Sequence, residues 1–433
     1  MAAVLLLAAG LRLYFVCTAM VYHPIRGDAI QYHAYAWNLV HHLTFSHQAA
    51  SPSVPMPDSY RDPGYPAFLA FWMSWLGDGS AWYVAILLSQ ALLSAATVGL
   101  GFLIARRCLP FGWALAAGAL TAVWPHLITS SSYLLTETLA GFLLTLGVLL
   151  ATSRHRAPLI AGAVALSLAG LTNAVLLPVG AGLALVLRAR GHLTTKAAAL
   201  FLVASLALPA AWSIRNVSLP PQATSSTNRA LQNLVQGSWP LYHPAYRAMI
   251  NGSAQGRAIL DDIDAEYHTM ARDFPAGWSQ MMDRMGQHPW RYVWWYIAQK
   301  PTEFWGWNIQ IGQGDIYVYP TMNSPFRNHP TWRALEAITR ALNPWLAALL
   351  LIGTILVAIK RQAGATRAGS SALDATAAVL LYATVVYSLL QAEPRYAIPF
   401  RALQMVVCMV ALRAVTLGVA KARQRNAAKQ AAQ

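Results

Sequence analysis

Apolar stretches at about 3–22, 81–104, 112–128, 133–152, 158–175, 174–189, 197–213, 343–359, 372–391 and 398–417 alternate with polar segments along the chain. A bilayer core takes roughly 20 apolar residues per crossing helix, so the pattern predicts ten membrane-spanning helices. The fifth and sixth stretches share residues 172–178, which include Asn173 and Pro178, so a tight turn or a broken helix is expected there. The first stretch carries Arg12 within its apolar run and no small-residue cleavage site after it, so it is expected to be a span and not a removable leader. Two polar segments are long: 23–80 after the first span, and 214–342 between the seventh and eighth. Three parts follow: an N-terminal helical module (1–213), the external segment 214–342, and C-terminal helices with a basic tail (343–433).

Of the 433 residues, 56% are hydrophobic and only 11% charged, well under the quarter expected of a soluble globular chain. Sixteen tryptophans, 18 tyrosines and 12 phenylalanines exclude a disordered chain. The class is an all-α polytopic membrane protein. The net charge of +15 is a topology signal. Arg106 and Arg107, Arg154 and Arg156, Arg188, Arg190 and Lys196, Lys360, Arg361 and Arg367, and Lys421, Arg423, Arg425 and Lys429 fall in alternate loops. Those loops hold one acid, Asp374, while the other fifteen of the 16 acids belong to the opposite side. Basic loops mark the cytoplasm, so both termini are expected there, and nucleic acid is not an expected partner. The cytoplasmic loops are too short for a nucleotide-binding domain, and no phosphate-loop or dinucleotide fingerprint occurs. Chemistry is therefore expected on the outer face. Cys17, Cys108 and Cys408 lie in or beside apolar runs and read as packing residues.

The outer segments carry the candidate chemistry. After Gly27, a helical pattern over 29–43 places Ile30, Ala34 and Trp37 on one face, with Asp28, Tyr32 and Tyr35 on the other. Asp28 is either a helix cap or an ionised carboxylate acting as a base at the membrane surface. Tyr60-Arg61-Asp62-Pro63-Gly64-Tyr65-Pro66 forces a turn into a second interfacial helix over 67–76. Arg61 and Asp62 either pair at the surface or face the pocket of Asp28, where Arg61 would serve a phosphate. Glu137, near the outer end of the fourth span, either pairs structurally, for instance with Arg12, or faces a cavity. Arg215 stands at the outer mouth of the seventh span. Glu393-Pro394-Arg395-Tyr396 is a polar island between the last two spans, either an ion pair closing the hairpin or a presentation of Arg395 to an anionic lipid head. Trp290, Trp294, Trp295, Trp305 and Trp307 read as an aromatic belt on the membrane. Histidines 243, 268, 288 and 329 lack metal-ligand spacing, so no metal is supported.

Taken together, Gly27-Asp28 with Tyr32, Arg61-Asp62-Pro63-Gly64-Tyr65-Pro66, Leu135-Thr136-Glu137, Trp212-Ser213-Ile214-Arg215-Asn216 and Pro394-Arg395-Tyr396-x-x-Pro399 resemble, in order and side, the GT-C superfamily of membrane glycosyltransferases. The similar branch contains the bacterial aminoarabinose transferases and protein O-mannosyltransferases. The resemblance covers residues 1–400, and position 29, where some members have a second acid, is Ala29. It implies a ten-helix GT-C-like bundle in a bacterial inner membrane. It implies a polyprenyl-phosphate (undecaprenyl-phosphate) sugar donor, a lipid, glycan or protein acceptor, and Asp28 as general base. Arg61, Arg215 and Arg395 would then bind the donor phosphate, with Asp62, Glu137, Tyr32 and Tyr396 orienting the acceptor. A single base opposite a phosphate leaving group implies inversion through an oxocarbenium-like transition state. The sequence requires no cofactor; the chemistry would admit a divalent cation, but no residue pattern supports one. The rival readings are a flippase of lipid-linked sugars and an O-antigen ligase or polymerase.

Overall fold

The computed structural model describes residues 1–220, 223, 225–359 and 367–431. Lys360 and Arg361 of the expected basic loops, and the side chains of Arg367, Lys421, Arg423, Arg425 and Lys429, lie outside the described residues. Among those described, five helices are long and apolar enough to cross a membrane: Ser80–Cys108, Thr195–Val217, Pro330–Ile359, Ala368–Leu389 and Pro394–Ala420. A bent pair, Phe111–Val123 with Pro125–Ser132, makes a sixth. The count of ten long spans is thus corrected. The remaining apolar stretches form the shorter helices Ala2–Thr18, Glu137–Ala151, Arg156–Thr172 and Ala174–Ala189, because breaks at their ends leave 17 residues or fewer in each.

Two breaks in the apolar stretches have clear causes. Pro125 lacks the N–H that would bond the Thr121 carbonyl, and the helix bends by 55° there. Arg12 takes up the freed carbonyls, donating to Thr121 O at 3.3 Å and Ala122 O at 2.8 Å, with Ser94 Oγ at 2.7 Å. This satisfies a fully buried guanidinium without a carboxylate, so the expected Arg12–Glu137 pairing is replaced by a backbone role. Asn173 ends the next hairpin helix in an extended conformation, and its side chain accepts the Val175 N–H at 3.2 Å to start the following turn.

In the helical bundle, Ser80–Cys108 packs on Ala2–Thr18 and on Glu137–Ala151, which packs in turn on Arg156–Thr172. On its loop-rich face, the two expected interfacial helices appear as Asp28–His42 and Gly64–Leu76. The long external segment folds into short helices, three of them capped by Ser225, Ser253 and Asp273 side chains accepting N–H groups in the first turn. Two-residue strands tie the end of the first apolar stretch to the long external segment: Met20–Val21 pairs antiparallel with Thr321–Met322. The tryptophans divide. Trp290 and Trp294 are 82% and 63% exposed, whereas Trp295, Trp305 and Trp307 are buried, so only the first pair fits a membrane-surface belt.

Candidate active site

Gly27 turns the chain into the first interfacial helix with φ +54°, a conformation an L side chain adopts only under strain, and an added Cβ would lie 3.2 Å from the Tyr319 hydroxyl. Asp28 is therefore the first residue of the helix rather than its cap, and its side chain makes no capping bond. Its oxygens go elsewhere. Oδ1 accepts from Arg61 Nη2 at 2.7 Å, and Oδ2 accepts from Arg395 Nη2 at 2.9 Å. The Asp28 side chain retains 31% of its exposure, against 11–12% for the two arginines. Burial alone would raise its pKa, but the Arg395 and Arg61 charges and their hydrogen bonds outweigh it and hold the carboxyl well below the usual range.

Each arginine is fastened a second time. Arg395 Nε donates to Glu137 Oε1 in a close ion pair. Arg61 Nε donates to Gln31 Oε1 at 2.5 Å, and its guanidinium lies over the rings of Tyr32 and Tyr60 at 5.2 and 5.5 Å. Glu137 is the first residue of helix Glu137–Ala151, because the buried stretch before it is a short turn over 130–132 and not a continuation of the span. The helix N-terminus favours its charge. Its Oε2 is buried and has no hydrogen-bond partner among the described residues. The Glu393–Arg395 pair expected across the hairpin does not form. Glu393 Oε1 accepts instead from the backbone of Gln310 at 2.7 Å, and its Oε2 faces His243 Nε2 at 3.7 Å.

Asp62 stands one step away. Its Oδ2 accepts the Ala174 N–H at 3.0 Å, beside the helix break, and Arg229 Nη2 at 2.8 Å. Tyr32 lies within electrostatic range of Arg61, Asp28, Arg229 and Glu137, and Tyr319 within range of Arg395, Asp28 and Glu137. Tyr396 lies within electrostatic range of Arg395 and Asp28. Seven of the eight anticipated residues thus surround one locus. Arg215 does not join them. It donates to the carbonyls of Asp58 at 2.6 Å and Phe45 at 3.4 Å, over the Trp212 ring at 4.8 Å.

Sequence reasoning missed Arg229, Tyr319, Gln31 and Asp58. Asp58 is a buried knot that accepts from the Tyr35 hydroxyl, from the Tyr60 N–H at 3.0 Å, and from His47 through N–H and Nδ1 at 2.9 and 2.6 Å. Arg229 lies in a Ser/Thr/Asn-rich stretch without a motif, and Tyr319 arrives through strand pairing distant in sequence, so neither carries a local signal. Among the described residues, no group of three His, Cys, Asp or Glu side chains is disposed to hold a metal ion.

No family model and no curated protein sequence matches the chain. Solved structures do. The archaeal oligosaccharyltransferase AglB from Archaeoglobus fulgidus, in complex with an inhibitory peptide and a dolichol-phosphate, superposes with a TM-score of 0.51 at 14% identity, covering 99% of this chain and 51% of that one. The Archaeoglobus fulgidus oligosaccharyltransferase tethered to an acceptor peptide containing the NVT sequon gives 0.51 at 13% identity, covering 96% and 49%. ArnT from Cupriavidus metallidurans bound to undecaprenyl phosphate gives 0.39 at 14% identity over 95% and 77%. The chain spans about half the length of the oligosaccharyltransferases it matches.

Proposed function

The protein is an integral membrane protein with the GT-C fold, and from that premise we propose that it transfers a sugar from a polyprenyl-phosphate carrier to a hydroxyl acceptor on the extracytoplasmic face. One observation carries the reading: a partly exposed carboxylate, Asp28, is held between the guanidiniums of Arg61 and Arg395 at the loop-rich face. The dolichol-phosphate in the archaeal relative supports a lipid-phosphate donor. The oligosaccharyltransferase acceptor is a peptide; here the acceptor is a lipid, glycan or protein hydroxyl. Counting the four shorter apolar helices as crossings of a locally thinned bilayer, together with the five long helices and the bent pair, gives ten, with both termini cytoplasmic.

In this mechanism Arg61 and Arg395 neutralise the charge that grows on the leaving phosphate, which needs no protonated acid. Asp28 takes the acceptor proton, a contribution of roughly 10²–10⁴-fold. Attack opposite the phosphate inverts the anomeric carbon. Glu137 acts through Arg395, and Asp62 through Arg229, which supplies the third cation first sought at Arg215. Arg215 braces the loop over 45–58. Tyr32, Tyr319 and Tyr396 wall the sugar site. A transport path has less support: the buried Arg12 and Arg401 donate to backbone carbonyls, as at Ala122 and Gly306, and so do not line a charged route.

The test is sugar transfer from radiolabelled polyprenyl-phosphate donors in membranes carrying wild type or Asp28→Asn. The expected result is a loss of roughly 10²–10⁴-fold in transfer with donor binding retained. Undiminished transfer by Asp28→Asn would remove Asp28 from the chemistry. Absence of transfer by the wild type from every donor would overturn the enzyme class.

A further inference from the structure

With both of its oxygens engaged by guanidiniums that hold its pKa down, Asp28 is a poor base in the donor-free site. The two arginines are fastened unequally. Each is pinned through Nε, Arg395 to the buried Glu137 and Arg61 to Gln31, and each lends only Nη2 to Asp28. The Nη2 groups converge on one small anionic group, and its holder is the most exposed carboxylate of the site: 31% for Asp28, 17% for Asp62 and 6% for Glu137. Three carboxylates, Asp28, Asp62 and Glu137, balance three guanidiniums, Arg61, Arg229 and Arg395. An incoming phosphodiester therefore finds each of these three guanidiniums engaged, and reaches Arg61 and Arg395 only by exchange with a carboxylate.

We infer that the carboxylate of Asp28 is a stand-in for the donor phosphate: the phosphodiester displaces it from the two Nη2 groups, and only this exchange releases it to serve the acceptor. The inference rests on the lipid-phosphate reading above. The arginines need not move, since their Nε anchors stay in place. Once released, Asp28 loses two cationic partners and gains a phosphate neighbour, and both changes raise its proton affinity. The acceptor O–H then breaks, with the proton passing to an Asp28 oxygen. The acceptor oxygen bonds the anomeric carbon, and the carbon–oxygen bond to phosphate breaks with its electron pair left on the polyprenyl phosphate. The donor thus binds first, and no active base exists without it.

The experiment titrates the Asp28 carboxyl in the full chain in lipid nanodiscs, with ¹³C-carboxyl aspartate and the Asp28→Asn difference for assignment. The probe is a polyprenyl monophosphate without sugar, its binding followed by radiolabel retention. The expected result is an upward shift of the Asp28 titration by roughly 1–3 pH units when the lipid phosphate is bound. Arg395→Gln, which removes one partner, should raise the titration in the lipid-free protein and shows that the readout responds to a lost guanidinium. Retained lipid with an unchanged Asp28 titration overturns the exchange and leaves the donor class standing. Failure of the lipid phosphate to bind overturns both.

Discussion

At the scale of single residues, the site is built on charges that share partners. Arg395 joins Glu137 to Asp28, so it links a helix of the bundle to the first interfacial helix through one guanidinium. Arg395→Lys keeps the charge but has no fork to make both bonds, and transfer should fall although the variant folds. Assay of transfer beside thermal unfolding separates the two effects. Glu393 is a different case. Burial raises its carboxyl, opposed by His243 and two backbone N–H groups, and the result is a pKa pushed up to about 7. The folded protein holds this proton more tightly than the unfolded chain. Its contribution to stability is therefore full below the ordinary carboxylate range and is lost as pH rises through about 7. Wild type should lose thermal stability on going from mildly acidic to mildly alkaline buffer, and Glu393→Gln should lose less. Equal slopes for the two proteins would show that Glu393 is not the group responsible.

At the scale of elements, the site depends on close approaches between pieces far apart in sequence. A Cβ at Gly64 would fall 2.5 Å from Thr172 Oγ1 and 2.9 Å from the Leu171 carbonyl. Helix Gly64–Leu76 therefore starts directly against the end of helix Arg156–Thr172, where Asp62 accepts the Ala174 N–H. Gly64→Ala should cost about 1–3 kcal/mol through overpacking and should weaken the Asp62 contact, lowering both the unfolding temperature and transfer. The loop over 45–58 is held by Arg215 from the end of helix Thr195–Val217. Arg215→Ala should expose this loop to limited proteolysis sooner than wild type. An unchanged digestion pattern would deny the bracing role.

At the scale of the whole molecule, the two long polar segments meet on one face, as the Arg229–Asp62 ion pair and the approach of Gly27 to Tyr319 require. The basic residues Arg106, Arg154 and Arg188 lie at or just past the far ends of helices Ser80–Cys108, Glu137–Ala151 and Leu177–Ala189, which lead away from it. In a cysteine-free background, single cysteines at Asn251 and at Arg154 should react oppositely with a membrane-impermeant maleimide added outside intact cells. Residue 251 should label and residue 154 should not. The reverse pattern would invert the orientation and place the site in the cytoplasm.

Much of this was legible in the sequence, for identifiable reasons. Burial in lipid demands apolar runs, and turns demand Pro, Gly and Asn, so the membrane class, the break at Asn173 and both interfacial helices are local consequences of composition. The motif residues around Asp28, Arg61, Glu137 and Arg395 could be named because charges beside apolar runs are costly and therefore conspicuous. Which charge meets which is not local information. Arg12 and Glu137 are both acid–base oddities of the spans, yet Pro125 decides that Arg12 serves carbonyls, leaving Glu137 to Arg395. By sequence Arg215 stands in a motif at the mouth of a span, whereas Arg229 carries no local signal. Only the tertiary structure assigns them, because the path of the segment after Thr195–Val217 carries Arg229 back to Asp62 and leaves Arg215 on the loop. Helix length was likewise decided in three dimensions, since a hydropathy window sums apolar residues across a break at which the helix ends.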